Sequence, residues 1–335
     1  MKAVALLSGG LDSTLAAKLV MEQAIELEAV NFLTVFCTCT QRGESCLASQ
    51  KAVSRLGIPL RVFNVSDEYL DLVRHPKHGY GSNMNPCIDC RIFMLKKAKA
   101  YMGEIGASFI ITGEVLGQRP MSQRRDAMRL IEKEAGLEGM ILRPLSAKLL
   151  PATLPEKEGW VDRERLLNLQ GRSRKPQIRL ADHFGIQDYP CPAGGCLLTD
   201  PGFSKRFRDL ILHHPDFSLN DVHLLKTGRH FRFSPEAKLV VGRNAEDNKK
   251  IETFSRKDDI LLKVSHFPGP LSLLRGGRDE GDIVRAASIT AHYSKARSLD
   301  KIEVTYYKRR EEDPGHSVFV APLLREEIER LIISE

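Results

Sequence analysis

The first 23 residues combine an apolar run, a pair of glycines and a helical pattern. Lys2–Leu7 is apolar enough for a buried strand and ends at Ser8, Gly9 and Gly10. Ser13–Gln23 then carries apolar side chains at helical spacing. The glycines permit a sharp turn in which successive N–H groups approach one point, beside the positive end of the following helix. This order predicts a phosphate-binding loop.

Each polar residue of this loop has an expected role. The hydroxyls of Ser8 and Ser13 add hydrogen-bond donors to the backbone N–H groups of the glycine turn. A carboxylate beside a phosphate requires a shared cation, so Asp12 is predicted to bind Mg²⁺ and to be catalytic. The alternative is a plain junction between a strand and a helix, without a ligand.

Strand and helix patterns alternate along the first part of the chain. Beyond the loop, the patterns predict strands at Ala29–Phe36, Leu60–Val65 and Ser108–Thr112 and helices at Ser45–Leu56 and Cys90–Ile105. Alternation of this kind predicts an α/β fold with a parallel sheet covered on both faces. Ligands of such sheets bind at the carboxyl ends of the strands, where the glycine loop would lie.

The remainder of the chain has a different pattern. Short helices are predicted at Asp162–Leu169 and Lys175–Phe184, and an ordered loop rich in Pro and Gly at Asp188–Cys196. Strands are predicted at Lys238–Val241, Ile260–Val264 and Ile302–Tyr307, with one helix at Asp282–Lys295. We therefore expect a domain at residues 1–200 and a smaller α+β domain at residues 201–335.

Charge and hydropathy narrow the choice of partners. The net charge is +7, of which the residues from Asp200 onwards contribute only +2, since 24 Lys and Arg face 22 Asp and Glu there. A positive field favours an anionic partner such as RNA, although an ordinary basic enzyme fits as well. No apolar run approaches the roughly 20 residues that cross a bilayer, so we expect a cytoplasmic protein without a membrane partner.

The spacing of the cysteines indicates metal or thiol chemistry. Cys87 and Cys90 form a C-x-x-C pair at the start of a predicted helix, whose end should favour the thiolate forms. Cys196 supplies a distant third thiol, with Cys191 near it. Thiolates at this spacing suit zinc or an iron–sulfur cluster, and the alternative is unrelated buried cysteines. We interpret the other three, Cys37, Cys39 and Cys46, as buried structural thiols, and the alternative is a role in sulfur relay.

The glycine loop resembles a known enzyme family. Ser-Gly-Gly-Xaa-Asp-Ser near the start of a chain is similar to the loop of the PP-loop ATP pyrophosphatases, which implies a HUP-type fold. Members cleave ATP between its α and β phosphates and adenylate an oxygen of the acceptor. The segment from Asn85 to Arg91 resembles tRNA 2-thiouridine synthetases, and Thr112–Gln118 resembles tRNA 4-thiouridine synthetases. The resemblance implies ATP binding by the loop and by Gly113 and Gln118.

The cysteines match the branch of this family that depends on iron–sulfur clusters. There three cysteines, corresponding to Cys87, Cys90 and Cys196, hold a 4Fe–4S cluster with one iron open to sulfide. Simpler members carry Asp in place of Cys87. The resemblance implies tRNA thiolation, with 4-thiouridine at position 8 favoured over 2-thiouridine in the anticodon, and a sulfide or cysteine desulfurase as sulfur donor. Alternatives are a thiouracil desulfidase, which needs no ATP, and a PP-loop enzyme acting on a small molecule.

Basic clusters and the tail predict contacts with RNA. The tail, roughly Lys226–Val320, resembles the RNA-binding NFACT-R domain, and this implies a third possible function, an RNA-binding quality-control module without thiolation activity. An inert oligomerisation domain, with the chain as a homodimer, is the alternative for the tail, and a solvated helix face is the alternative for the basic clusters. The predicted RNA-binding residues are Arg119, Arg124, Arg125, Arg172, Arg174, Lys175, Arg243, Lys295 and Arg297.

Overall fold

The chain packs into two compact units. The computed structural model describes residues 1–38, 45–187, 189, 195–277, 279–309 and 315–333, with the backbone alone for residues 45–47. The first unit is Met1–Leu197 and the second is Leu198–Glu335. Among the helices within these described ranges, none is long and apolar enough to cross a membrane.

The first unit is built on a five-stranded sheet. Its order is β3-β2-β1-β4-β5, and every neighbouring pair is parallel. The strands are β1 (Lys2–Leu6), β2 (Glu26–Leu33), β3 (Leu60–Asn64), β4 (Phe109–Thr112) and β5 (Ile141–Leu142). The helices are α1 (Leu11–Met21), α2 (Ser45–Leu56), α3 (Ser66–Arg74), α4 (Cys87–Glu104), α5 (Arg125–Ala135), α6 (Leu154–Lys157) and α7 (Lys175–His183).

Apolar side chains on both faces of β1 place this strand at the centre of the unit. Successive side chains of a strand point to opposite faces. Ala3 and Ala5 accordingly pack in one cluster with Val20 of α1, whereas Val4 packs in another with Leu95 of α4. A strand that is buried on both faces must be apolar throughout, and this accounts for the unbroken apolar run at the start of the sequence.

The strand order creates a crevice at one edge of the sheet. The chain runs from β1 outwards through β2 and β3, then returns to the other side of β1 as β4. Helices that leave β1 and β4 therefore diverge, and open α/β sheets bind ligands at such a point, outside the carboxyl ends of the strands. Ser8 follows β1 here and Gly113 follows β4.

The second unit is built on a six-stranded antiparallel sheet. Its order is β11-β10-β8-β9-β7-β6. The strands are β6 (Arg229–Arg232), β7 (Lys238–Val241), β8 (Ile260–Val264), β9 (Ser272–Arg275), β10 (Ile302–Lys308) and β11 (His316–Val320). The helices are α8 (Pro201–His213), α9 (Leu219–Leu225), α10 (Ala245–Phe254), α11 (Glu280–His292) and α12 (Arg325–Leu331). Helix α11 covers one face of the sheet, where Ala287 and Ala291 pack against Leu262.

The predicted fold class is confirmed, since a parallel α/β sheet is followed by a smaller α+β unit. One predicted helix is wrong. Within Asp162–Leu169 only Arg163–Arg165 forms a 3₁₀ turn. The N–H groups of Leu167 and Leu169 donate to the carbonyl oxygens of Pro144 and Leu145 instead of continuing a helix. Most of the predicted loop at Asp188–Cys196 lies outside the described residues.

Candidate active site

The glycine loop after β1 fits closely against α2. Gly9 has φ +76, a conformation that residues with a side chain rarely adopt. A Cβ atom at Gly9 would lie 2.4 Å from the carbonyl carbon of Ala48. Glycine is therefore required at this position both by its backbone angle and by the packing of α2.

Helix α1 begins immediately after the loop. Gly10 occupies the N-cap position with extended backbone, and no side chain of the described residues caps the helix there. The hydroxyls of Ser13 and Thr14 both donate to the carbonyl oxygen of Gly10, at 2.9 and 3.0 Å. The hydroxyl oxygens of Ser8 and Ser13 are 3.3 Å apart. N–H groups at an uncapped helix start, with two hydroxyls beside them, form an anion-binding arrangement.

Asp12 is held by two partners. The side-chain amide of Gln118 donates to Asp12 Oδ2 at 2.7 Å, and the guanidinium of Arg174 lies 3.5 Å from the same oxygen. Gln177 in turn donates to Gln118 at 3.0 Å. Asp12 Oδ1 is buried without a hydrogen-bond partner among the described residues. An oriented carboxylate with one oxygen left over suits a cation shared with a phosphate.

Gly113 brings the end of β4 against the start of α1. A Cβ atom there would lie 2.5 Å from the backbone nitrogen of Ser13. The next residue, Glu114, is 1% exposed and forms ion pairs with Arg143 at 3.0 Å and with Arg91 at 3.3 Å. Burial raises the pKa of Glu114, but the two arginines outweigh it and the pKa is lowered. Because Arg91 follows Cys90 directly, Glu114 ties the phosphate loop to the cysteine segment.

The structure brings cysteines from three segments together. Cys37 and Cys196 face each other in an isolated antiparallel bridge. The bridge is flanked by hydrogen bonds from Leu197 N to the oxygen of Phe36 at 2.8 Å and from Thr38 N to the oxygen of Gly195 at 3.1 Å. The distant third thiol of the sequence is thus placed by main-chain pairing with the segment that follows β2.

The pKa of the buried Tyr69 side chain indicates that the C-x-x-C pair lies near this bridge. Burial raises the pKa of Tyr69, and charge on Cys90, Cys196 and Cys87 raises it further. Cys90 also interacts with Cys37. Three sulfur atoms, those of Cys90, Cys196 and Cys87, therefore lie within electrostatic range of one phenol, and Cys37 lies within range of Cys90. Cys37, which we interpreted from the sequence as a structural thiol, belongs to this group, and only the pairing of its segment with Cys196 could have revealed it.

The expectation that the start of α4 favours thiolates is not met at Cys90. Burial raises the pKa of Cys90 to about 11, so the start of α4 does not by itself favour a thiolate there. Cys87 has a polar partner instead, because the side-chain amide of Asn85 donates to its sulfur at 3.2 Å. The described residues include no group of three or more His, Cys, Asp or Glu side chains arranged as a metal site. Cys39, Cys191 and the side chain of Cys46 are not described.

Two family matches cover most of the chain. Residues 1–148 match the family described as Thiamine biosynthesis protein (ThiI), and residues 228–332 match the NFACT protein RNA binding domain. The chain joins a ThiI-type PP-loop domain to an NFACT-R domain. The predicted resemblances to a PP-loop enzyme and to NFACT-R are thereby confirmed.

Curated relatives match parts of the chain. The chain is 32% identical over 160 residues to the probable tRNA sulfurtransferase of Lysinibacillus sphaericus, and the alignment covers 47% of this chain and 38% of that relative. The chain is also 33% identical over 143 residues to the tRNA-specific 2-thiouridylase MnmA of Pseudomonas entomophila, with 39% of this chain and 36% of that relative covered. An alignment to the Rqc2 homolog RqcH of Bacillus subtilis is 32% identical over 99 residues, covering 25% and 17%. The chain thus spans well under half the length of these relatives.

Arginines of the ThiI-type domain fall into two groups. Arg174 contacts Asp12, and Arg119 lies within electrostatic range of both Asp12 and Cys87. Burial and the nearby Arg91 lower the pKa of Arg119. Arg119 is exposed and Arg174 is partly buried. The other predicted RNA-binding residues of this domain are also exposed, namely Arg124, Arg125, Arg172 and Lys175. Their roles in RNA binding stay predictions.

The NFACT-R domain separates the three cations predicted for it. Lys295 and Arg297 are exposed and line one cavity. Arg243 does not belong to that cavity, because its guanidinium is paired with Asp247 at 2.7 Å near the start of α10. Lys295 and Arg297 therefore lie together without Arg243, and the role of all three in RNA binding stays a prediction.

Proposed function

We propose that this chain is an ATP-dependent tRNA sulfurtransferase that replaces a uracil carbonyl oxygen with sulfur. The observation that carries the proposal is the contact between the phosphate loop and the cysteine segment at the end of β4. Gly113 packs against Ser13, and the next residue, Glu114, pairs at 3.3 Å with Arg91, which follows Cys90. An adenylated uridine bound at this point would therefore lie near both the nucleotide and the thiols. The names of the curated relatives of this domain support tRNA as substrate.

The proposed reaction has two steps. In the first, the uracil carbonyl oxygen attacks the α-phosphorus of ATP, and the bond to the bridging oxygen breaks to release pyrophosphate. In the second, a sulfide-level sulfur adds to the activated ring carbon, the C–O bond breaks to release AMP, and the sulfur loses its proton to solvent as C=S forms. The N–H groups at the start of α1 would bind the departing pyrophosphate. Arg119 would stabilise the negative charge that develops on the leaving AMP.

A Mg²⁺ ion and an iron–sulfur cluster fit this proposal to different degrees. Asp12 would hold Mg²⁺ through its unpartnered Oδ1, and the ion would supply charge neutralisation for the phosphates. Cys87, Cys90 and Cys196 would hold a 4Fe–4S cluster, which would supply a binding place for sulfide. Thiol donors from two distant segments suit such a cluster, but their present arrangement in the described residues is not that of a metal site.

The modified position and the sulfur source form the finer part of the proposal. We favour 4-thiouridine at tRNA position 8, because the match to the ThiI family covers the whole phosphate loop, β4 and the Gly113–Gln118 segment. The similarity to a 2-thiouridylase over 143 residues makes 2-thiouridine in the anticodon the competing product. Sulfide, or a cysteine desulfurase that delivers sulfur at the same oxidation level with a reductant, would serve as donor.

Nucleoside analysis tests the product. tRNA from cells with and without the gene would be digested and analysed by mass spectrometry. Loss of 4-thiouridine on deletion supports the proposal in full, and loss of 2-thiouridine supports thiolation at the competing position. Unchanged levels of both nucleosides would refute thiolation of tRNA by this chain.

A second assay tests the chemistry. Purified anaerobic protein, unmodified tRNA, sulfide and ATP should form AMP and pyrophosphate in amounts equal to the thiouridine produced. Asp12→Ala should abolish the reaction because the shared cation loses its protein ligand. The matched control Asp71→Ala, which removes an exposed carboxylate paired with Arg74, should retain it. A folded Asp12→Ala protein that releases AMP at the normal rate would contradict the assigned role. Sulfur loss from thiouracil without ATP would identify a desulfidase instead.

A further inference from the structure

The NFACT-R domain contains a cavity of about 570 Å³ at the end of α11. Among the described residues, its lining combines two cations, one aromatic ring and no acidic side chain, the six residues being Pro268, Gly269, Tyr293, Ser294, Lys295 and Arg297. Volumes of this size hold a nucleotide or another small ligand. Two cations with no carboxylate beside them favour the binding of an anionic ligand.

Main-chain contacts fix the walls of the cavity. The backbone N–H of Lys295 donates to the carbonyl oxygen of Pro268 at 3.0 Å. Gly269 packs so closely on Ser294 that a Cβ atom would lie 3.0 Å from the Cβ of Ser294. A glycine at this point allows the two segments to touch. The loop after β8 and the segment after α11 therefore form one unit.

Alternation along the segment after α11 points both cations outwards. Ser294 and Ala296 are buried, at 5% and 2% exposure, and the hydroxyl of Ser294 accepts the N–H of Ala296 at 3.1 Å. Lys295 and Arg297, which alternate with them, are exposed. The backbone thus presents two positive side chains to the same cavity without any need for a partner to order them.

Tyr293 is held rigidly beside these cations. The guanidinium of Arg229 lies over the ring at 4.6 Å from its centroid, and the rings of Phe231 and His292 lie at 6.1 and 5.0 Å. His292 is itself anchored to the carbonyl oxygen of Leu323 at 2.8 Å. A fixed aromatic ring next to cations is the combination by which proteins bind unpaired nucleotides, through stacking and phosphate contacts.

We propose that this cavity binds one unpaired nucleotide of RNA, with its phosphate on Lys295 and Arg297 and its base on Tyr293. The proposal deepens the proposed function, because it names the part of a tRNA that the NFACT-R domain would hold. Loops and ends of tRNA carry unpaired nucleotides, whereas a duplex offers phosphates but no exposed base face. The domain would therefore recognise a single-stranded element and would leave base-paired stems to other surfaces.

Fluorescence anisotropy with a labelled ten-nucleotide oligouridylate tests the site in the full-length protein. The double variant K295Q/R297Q should bind it about tenfold more weakly, with a salt slope smaller by about 1.4, since each lost phosphate contact of a single strand removes roughly 0.7. The matched control K250Q/R325Q also removes two positive charges from the domain, at exposed helix positions paired with Glu246 and Glu329. It should bind within about twofold of the unmodified protein.

Variants of Tyr293 distinguish binding of a whole nucleotide from binding of a phosphate alone. Tyr293→Phe keeps the ring and should bind normally, whereas Tyr293→Leu should lose about tenfold through the lost stacking. An oligouridylate–oligoadenylate duplex should bind more weakly than the single strand and should not respond to Tyr293→Leu. Equal effects of K295Q/R297Q and K250Q/R325Q would overturn the proposal, as would a duplex that binds as tightly as the single strand.

The outcome for this cavity is distinguishable from that for thiolation. If the unmodified protein binds oligouridylate through these residues but forms no thiouridine, the inference stands and the proposed reaction fails. If tRNA is thiolated but the cavity variants bind like the control, only the inference fails.

Discussion

Substitution of Glu114 by Gln tests the link between the phosphate loop and the cysteine segment. Glu114 and Arg143 are 1% and 4% exposed and lie 3.0 Å apart. Removing one partner of a buried ion pair costs about 3–5 kcal/mol because the other charge stays buried and uncompensated. Arg143 keeps an ion pair with Glu132, so we expect a loss of about 3 kcal/mol in the free energy of unfolding.

Urea denaturation followed by tryptophan fluorescence measures this loss. Trp160 is the only tryptophan of the chain and packs on Phe109 of β4, so it reports on the first unit. The control Glu164→Gln removes an ion pair with Lys148 whose carboxylate is 84% exposed, and it should cost less than about 1 kcal/mol. Equal losses for Glu114→Gln and Glu164→Gln, with unchanged urea dependence, would refute the assignment of a buried charge network.

The same network predicts a dependence on pH. The pKa of Glu114 is lowered in the folded protein, so its ionised form stabilises the fold above the ordinary carboxyl pKa of about 4.3. That contribution disappears as the pH falls through the lowered pKa. The difference in free energy of unfolding between the unmodified protein and Glu114→Gln should therefore shrink on acidification below pH 4.

Three further predictions concern other positions. Gly9→Ala should weaken ATP binding at least tenfold in titration calorimetry, since its Cβ meets backbone at 2.4 Å, whereas Gly57→Ala, with φ +67 and an open surrounding, should not. Anaerobically prepared protein should contain about four irons per chain, and Cys90→Ala should remove most of them. The iron content of Cys37→Ala shows whether the sulfur of Cys37 also helps to hold the iron. Burial lowers the pKa of Lys238 to about 8. The free energy of unfolding of the second unit should therefore rise by up to about 3 kcal/mol between pH 8 and 10.5. Calorimetry of Lys238→Met should not show this rise.

Periodicity predicted the elements that are strongly patterned. The strand before the glycine loop, helix α2 and the strands at Lys238–Val241 and Ile260–Val264 have the predicted limits or differ by one residue. These segments are decided by local signals, namely a continuous apolar run or an amphipathic face. Helix α4 begins three residues earlier than predicted, at Cys87, and Pro86 lies at its N-cap position.

Features that depend on long-range pairing were not accessible from the sequence. Cys37 lies next to Cys196 only because two distant segments pair, and no local pattern near either residue indicates it. Likewise, the side-chain amide of Gln118 donates to Asp12 from a distant segment, a contact that the sequence does not indicate, and its role in ATP binding stays a prediction. Composition identifies which residue types can do chemistry, whereas the pairing of segments decides which of them meet.

The near balance of charge in the second unit does not argue against a nucleic-acid site there. Its 24 cations and 22 acids include many that neutralise each other inside the fold, such as Asp221, which is 3% exposed and contacts Arg275 and Arg256. Such pairs contribute little field outside the protein. At physiological salt the field extends only about 8 Å, so a ligand senses the charges nearest to it. At the cavity after α11 those charges are Lys295 and Arg297, without an acid in the lining, and local arrangement therefore outweighs net charge in deciding what binds.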